Sequence, residues 1–473
     1  MQFNSHVFAV FFVVVLAVYN LPGLSWRGQK VWLLVTSYVF YAAWDPVFIG
    51  LLWMATFVDW TAAKLILAAP TLARRRLLLL VSVAINLGVL SYFKYGAFLL
   101  ANLVAALQAM GIDYHPAQPD IILPIGISFY TFHTLSYTLD IYLRRTKPWT
   151  SFLDFALYVT FFPALVAGPI LRASQFLPQC TQKRRSTGPL LGWGLALLVL
   201  GLFEKMALAD IVLAPVADEL FVTGGQAGFA DAWLGTLAFA GQIFCDFAGY
   251  STCAVGVSLC LGFSLPDNFR WPYAALGFSD FWTRWHISLS SWLRDYLYIP
   301  MGGNRRGPWR THVHLMLTML IGGLWHGASW TFVAWGGLHG SYLIGERVVR
   351  SALPEGPWRR AWWARGLAWA VTFALVCVAW VFFRATSFAQ AFAIVGGMLG
   401  QGGGPRIYTF VSHALVLGTM IALLGIHWLM RDRSIEELGQ RTPWPLRSLA
   451  LAIMIVILLL MQGQDRAFIY FQF

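Results

Sequence analysis

Residues 74–107 read RRRLLLLVSVAINLGVLSYFKYGAFLLANLVAAL. Three arginines, Arg74, Arg75 and Arg76, stand directly before an apolar run, Leu77–Leu107, whose only charged residue is Lys94. A helix needs about 20 apolar residues to cross the hydrocarbon core of a bilayer, and this run is long enough. The same pattern recurs in both directions along the chain. Upstream lie apolar runs at Val7–Leu21, Val31–Trp44 and Val47–Ala69. Downstream they follow at Ile121–Leu143, Phe152–Ile170, Leu190–Ala209, Trp233–Leu261, Val313–Trp325, Thr331–Ile344, Gly366–Phe383, Ala414–Met430 and Leu449–Met461. This predicts an all-α, polytopic integral membrane protein with roughly eleven to thirteen membrane helices. Residues 1–473 read as one integral domain, with no soluble domain or internal repeat.

Composition supports the pattern. Of 473 residues 58% are apolar, before 43 glycines are counted, and only 11% are charged. A soluble domain is about 25% charged, and this chain lacks the polar residues to cover a water-facing surface. Soluble enzymes, nucleic-acid binders and disordered scaffolds are thereby disfavoured. Lys plus Arg number 33 against 21 acidic residues, for a formal charge of +12. The basic residues gather in short clusters between apolar runs, at Arg144-Arg145, Lys183-Arg184-Arg185, Arg305-Arg306 and Arg431 with Arg433. Basic cytoplasmic loops explain this better than a polyanion partner. If the Arg431 loop is cytoplasmic, the last span delivers the carboxyl terminus to the outer side.

Five cysteines, Cys180, Cys245, Cys253, Cys260 and Cys377, form no C-x-x-C pair and read as small packing residues rather than a disulfide framework or metal site. The first apolar run lacks a basic leader and reads as a membrane helix, not a cleaved signal peptide.

The stretch from Asp267 to Gly307 breaks the pattern. Trp282, Trp285, Leu289 and Trp292 recur at helical spacings, with His286, Arg294 and Asp295 among them. An interfacial amphipathic helix and a re-entrant helix lining a protein-enclosed cavity remain equal readings.

Chemistry-bearing residues are few. There is no P-loop, dinucleotide fingerprint, G-x-S-x-G elbow, H-E-x-x-H motif or paired-carboxylate constellation. Asp246 and the Glu204-Lys205 pair lie in or near spans, where ionisable groups suit a proton or ion path, but they are too few to favour a transporter. Most histidines sit near loops or span ends, and His133 reads equally as packing. His326 differs, because it stands in Gly322-Gly-Leu-Trp-His-Gly-Ala-Ser-Trp330, flanked by small residues that admit close approach of a ligand. A neutral imidazole there suits general-base chemistry, with a packing role as the alternative. His286 is the second candidate.

These histidine blocks, Phe281-Trp-Thr-Arg-Trp-His-Ile-Ser-Leu-Ser290 and Gly323-Leu-Trp-His-Gly-Ala-Ser-Trp330, resemble those of the membrane-bound O-acyltransferase family. Further likeness lies in Leu123-Pro-Ile-Gly-Ile-Ser-Phe-Tyr-Thr-Phe132, Phe161-Phe-Pro-Ala-Leu-Val-Ala-Gly-Pro-Ile170 and Tyr298-Ile-Pro-Met-Gly-Gly-Asn304. The core motifs fall within residues 121–345. The branch it resembles acetylates bacterial polysaccharides such as alginate, cellulose and peptidoglycan, and also includes teichoic acid D-alanyl transferases.

The resemblance implies re-entrant segments and helices around a central funnel, with His326 matching the family's catalytic histidine and His286 its second characteristic one. Trp285, Trp325, Ser329 and Asn304 are candidate substrate-binding residues, some of them donors to developing oxyanion charge. No metal and no bound cofactor is implied; acetyl-CoA is the expected donor substrate. Membrane lipid, a periplasmic or cell-surface partner and a polysaccharide are the expected partners, with no nucleic acid, at a bacterial inner membrane.

The carboxyl-terminal tail, residues 462–473, ends Phe468-Ile-Tyr-Phe-Gln-Phe473. An aromatic belt at the membrane interface is one reading. It also resembles the aromatic terminal motif of this branch, which implies Tyr470 as an acyl relay. A D-alanyl transferase, a non-catalytic polymer or lipid transporter and a membrane scaffold stand as alternatives to the acetyltransferase.

Overall fold

The computed structural model describes residues 1–117, 119–223, 227–353, 356–404, 406–461 and 466–469. Among the described residues every regular element is a helix. That follows from the solvent: in hydrocarbon each backbone N–H and C=O must be satisfied within its own segment. Among the described residues five helices are long and apolar enough to cross a membrane: Pro46–Ala68, Leu72–Ala109, Phe229–Cys260, Trp362–Arg384 and Phe410–Met430. Shorter apolar helices stand at His6–Tyr19, Phe388–Met398 and Trp444–Leu460. The remaining expected spans are realised as shorter, broken or more polar helices.

Two of the differences have clear causes. The run expected to be interrupted at Lys94 is continuous, because a π-helical turn at Ser91–Tyr95 absorbs one extra residue between Leu72–Leu90 and Gly96–Ala109. The run expected at Phe152–Ile170 is instead broken into Phe152–Thr160 and Phe162–Leu165. Phe161 leaves helical geometry two residues before Pro163, which has no N–H to continue the ladder. Phe155 to Leu171 are buried throughout, which makes this an internal segment of its unit.

The chain forms two compact units, the first comprising Met1–Leu195 and Ala254–Pro266, the second Ala196–Cys253 and Asp267–Phe473. In the first, a buried polar knot joins three helices. Asp59 accepts from Ser82, from Asn86 at 2.8 Å and from Thr138 at 2.8 Å. A carboxylate so buried needs every one of these donors. The second unit holds both histidine blocks. There the Asp267–Gly307 stretch folds into short helices, Phe278–Trp282, Ile287–Leu293 and Ile299–Met301, with a π turn at Arg294–Tyr298. Trp285, His286 and Leu289 are buried within the unit, so no continuous amphipathic helix lies over its surface.

The cysteines pack as expected: all five are free and buried. Cys253 Sγ lies against the backbone space of Gly201, and Cys260 Sγ against that of Gly194.

Candidate active site

His326 is the last residue of the helix Pro308–His326, and after Gly327-Ala-Ser329 the chain reverses into Trp330–Ala352. This helical hairpin closes tightly because glycines line its seam. A Cβ on Gly323 would come within 2.3 Å of the Phe332 carbonyl oxygen, and one on Gly336 within 2.2 Å of the Met319 carbonyl oxygen. Backbones approach this closely only where side chains are absent. The corner therefore presents His326, 2% exposed, within a ring of aromatics. Trp335 lies 4.9 Å away, Trp325 5.0 Å and Phe383 5.3 Å between ring centroids.

His286 arrives differently. It holds a left-handed backbone, φ 41° and ψ 55°, at the start of Ile287–Leu293. That conformation costs a non-glycine residue about 1–2 kcal/mol, so neighbouring bonds must hold it. Asn268 supplies them. Its backbone oxygen accepts from Ile287 N at 2.9 Å. Its side-chain oxygen accepts from Ser288 N at 3.3 Å and Ser288 Oγ at 2.9 Å. The same oxygen lies 3.1 Å from His286 Nδ1. An amide oxygen only accepts, so Nδ1 carries the imidazole proton and Nε2 carries the lone pair. The two imidazoles face each other at 6.4 Å between centroids.

Around the pair lies an aromatic cluster. Trp285 packs on Trp380 at 4.9 Å, and Trp335 on Trp380 at 5.8 Å. The Nε1 atoms of Trp285, Trp335 and Trp380 are buried and have no acceptor among the described residues. His339, 4.8 Å from Trp335, likewise has no partner for either ring nitrogen among the described residues. Buried donors normally have partners, so this group of indole N–H groups is unusual for a packed core.

Among the residues expected at the site, Trp325 joins the histidines, 5.9 Å from His286, and Trp285 reaches the cluster through Trp380. Ser329 caps the helix Trp330–Ala352, accepting from Thr331 N at 3.3 Å. Asn304 is exposed and lies at the opposite end of Pro308–His326 from His326. The carbonyl oxygen of its neighbour Gly303 lies 2.9 Å from His314 Nδ1, and His314 stands twelve residues, about 18 Å at 1.5 Å per residue, before His326 along this helix, so Asn304 is not part of this cluster. Tyr470 lies outside the described residues. The residues before it are placed, however: Phe468 is fully buried against Tyr250 at 4.8 Å and Phe247 at 5.6 Å. Phe247 in turn lies 4.7 Å from His286. A fully buried Phe468 docks into the unit and does not serve as an interfacial belt.

Sequence reasoning missed His339, Asn268, Trp335 and Trp380. His339 had a visible signal, since Gly336-Gly-Leu-His-Gly340 repeats the small-residue setting of His326.

A family model, membrane-bound O-acyltransferase, matches residues 143–389, a stretch that contains the Asn268 clamp, both histidines and the aromatic cluster. The chain belongs to the membrane-bound O-acyltransferase family. It is 37% identical over 499 residues to a probable alginate O-acetylase of Pseudomonas putida, each chain covered in full. It is 36% identical to the peptidoglycan O-acetyltransferase of Helicobacter pylori, over 79% of this chain and 74% of that one. A teichoic acid D-alanyltransferase of Streptococcus thermophilus is 27% identical over 67% of this chain and 86% of its own. As a member of this membrane-bound O-acyltransferase family the protein is a multi-pass membrane acyltransferase, and the transporter and scaffold alternatives give way.

Proposed function

We infer that the protein is an O-acetyltransferase that takes acetyl groups from cytoplasmic acetyl-CoA and delivers them for O-acetylation of an exported polysaccharide. The observation that carries this reading is the buried His286–His326 pair inside a family-matched acyltransferase core. Identity supports acetyl over D-alanyl transfer: the O-acetylating relatives stand at 36–40%, the D-alanyl ones at 27–28%.

In this reading His326 takes the proton of an attacking hydroxyl. The hydroxyl oxygen bonds to the acetyl carbonyl carbon, the carbon–sulfur bond breaks, and the proton passes to the thiolate leaving group. Indole N–H groups such as Trp285 Nε1 donate to the carbonyl oxygen as charge builds on it. Asn268 holds His286 with Nε2 as the acceptor nitrogen. Tyr470 is the first acceptor; a second hydroxyl then attacks its acetyl ester and releases the phenol. The basic loops attract the phosphates of coenzyme A on the cytoplasmic face of the inner membrane. A periplasmic or cell-surface partner completes transfer to the polymer.

The test incubates purified protein with isotopically labelled acetyl-CoA and maps the label by peptide mass. Label on Tyr470 that disappears in His326→Ala and in Tyr470→Phe is the expected result. Absence of any His326-dependent transfer, even with membranes of the source cells added, would overturn acetyl-CoA as donor and direct attention to a carrier-bound acyl group.

A further inference from the structure

A cluster of buried charges includes Asp246, the chain neighbour of the Phe247 that lies against His286. Lys205 and Asp210 belong to an eleven-residue π-helical stretch, Phe203–Leu213, and Asp246 to the long helix Phe229–Cys260. Lys205 donates to Asp210 at 2.8 Å and forms a second ion pair with Asp246. All three side chains are at most 4% exposed. A lone buried ammonium or carboxylate is very costly, so the cluster persists only because its members neutralise one another. Two carboxylates against one ammonium leave acceptor capacity over. The amide N–H of Ile469 uses it, donating to Asp246 Oδ2 at 2.8 Å.

A second contact repeats the logic nearby in sequence. Asp218 accepts from Arg384 at 2.7 Å and from Arg466 at 2.5 Å. Between these polar contacts Phe468 is fully buried on Tyr250 and Phe247, and Phe247 lies against His286. Three kinds of interaction therefore fix three of the four residues 466–469: an ion pair at Arg466, an aromatic seat at Phe468 and a main-chain hydrogen bond at Ile469.

We propose that Asp246, held in place by Lys205, and Asp218, held by Arg384, form an anchor that docks residues 466–469 and so positions residue 470 for acyl transfer. This rests on the reading of Tyr470 as relay. The anchor residues touch no reacting atom; they are positioning residues. The main-chain bond matters most, because Ile469 immediately precedes residue 470 and a single rotatable stretch of backbone separates the anchored amide from the phenol. The buried charges explain themselves in this way without an ion path through the unit.

Two readouts on the full chain separate the anchor from the relay. Trypsin cleaves after arginine, and a docked tail shields the bond after Arg466; loss of residues 467–473 by mass reports undocking. Label transfer from acetyl-CoA reports chemistry. Ile469→Pro removes the donated N–H, together with the buried isoleucine side chain and the freedom of φ at 469, and leaves the Lys205 ion pairs with Asp210 and Asp246 in place, which Asp246→Ala would not. The parent and Ile469→Val are expected to resist cleavage and to transfer equally. Ile469→Pro is expected to be cleaved at least tenfold faster and to lose at least tenfold of transfer, while still unfolding cooperatively in detergent. Tyr470→Phe is expected to resist cleavage and lose transfer. Cleavage of the parent as fast as of unfolded protein, or full transfer by Ile469→Pro, would overturn the anchor. Full transfer by a cleavage-resistant Tyr470→Phe would instead overturn the relay reading, and the positioning role with it.

Discussion

His286 and His326 face each other with ring centroids 6.4 Å apart and planes inclined at 64°, although forty positions separate them in the chain. Each is held by a different device. His326 is placed by glycine-seamed helix packing and an aromatic wall, whereas His286 is held in a left-handed corner by Asn268. Neither device depends on the other, which makes the contribution of each separable by substitution.

If the two imidazoles act as one unit, their losses will not add. His326→Ala is expected to lower acyl transfer by about 10²–10⁴, the range for a positioned general base. His286→Ala is expected to cost less, and the double variant no more than His326→Ala alone. Initial rates of labelled-acetyl transfer for the four proteins decide this; a double variant that falls by the product of the single losses would mean independent roles.

Asn268 gathers three donors on one oxygen: Ser288 N, Ser288 Oγ and His286 Nδ1. Asn268→Ala strands all three in a buried site, and a stranded buried donor costs about 1–3 kcal/mol. The variant is expected to melt at lower temperature in detergent and to lose most of its transfer activity. An unchanged melting temperature with unchanged transfer would show that the left-handed corner at His286 holds without the clamp.

The hairpin seam makes a graded prediction. Gly323→Ala and Gly336→Ala each place a methyl against backbone at 2.3 and 2.2 Å, where nothing flexible can yield. Overpacking of this kind costs about 1–3 kcal/mol or more. At Gly337 the nearest atom to an added Cβ is the Leu320 Cδ2 at 3.6 Å, an ordinary contact. Gly337→Ala is therefore the control and is expected to keep stability and activity. Thermal unfolding of the three variants in one detergent checks the order; equal melting temperatures would contradict it.

The all-helical membrane architecture was legible because long apolar runs admit few other folds, and His326 and His286 were legible as polar residues in apolar, glycine- or tryptophan-rich surroundings. What escaped was set by tertiary contact. Asn268 reaches His286 across eighteen positions and a reversed turn, and Trp380 and Phe383 arrive from the helix Trp362–Arg384. No periodicity connects them. The break at Phe161 escaped because apolar content alone cannot distinguish a crossing helix from a buried broken segment; Pro163 was the available signal. Ser329, expected as a substrate-binding donor, serves in the structure as the N-cap of Trp330–Ala352, a role that a serine just before a helical run favours.

The Lys205 cluster gives the sharpest energetic contrast. Lys205→Met removes the only cation ion-paired to Asp210 and Asp246 among the described residues and leaves two carboxylates buried together. Breaking a buried ion pair from one side costs about 3–5 kcal/mol, because the remaining charge has neither water nor partner. Adding Asp210→Asn and Asp246→Asn removes those charges as well, so the triple variant is expected to regain most of the lost stability. The Asp246→Asn change keeps a side-chain oxygen for the Ile469 N–H but loses the Lys205 contact that holds residue 246, so the bond after Arg466 is expected to be cleaved faster by trypsin than in the parent. Thermal unfolding of the single and triple variants checks the first expectation, and the cleavage assay checks the second. A triple variant no more stable than Lys205→Met would mean that the cluster contributes through packing and not through charge neutralisation.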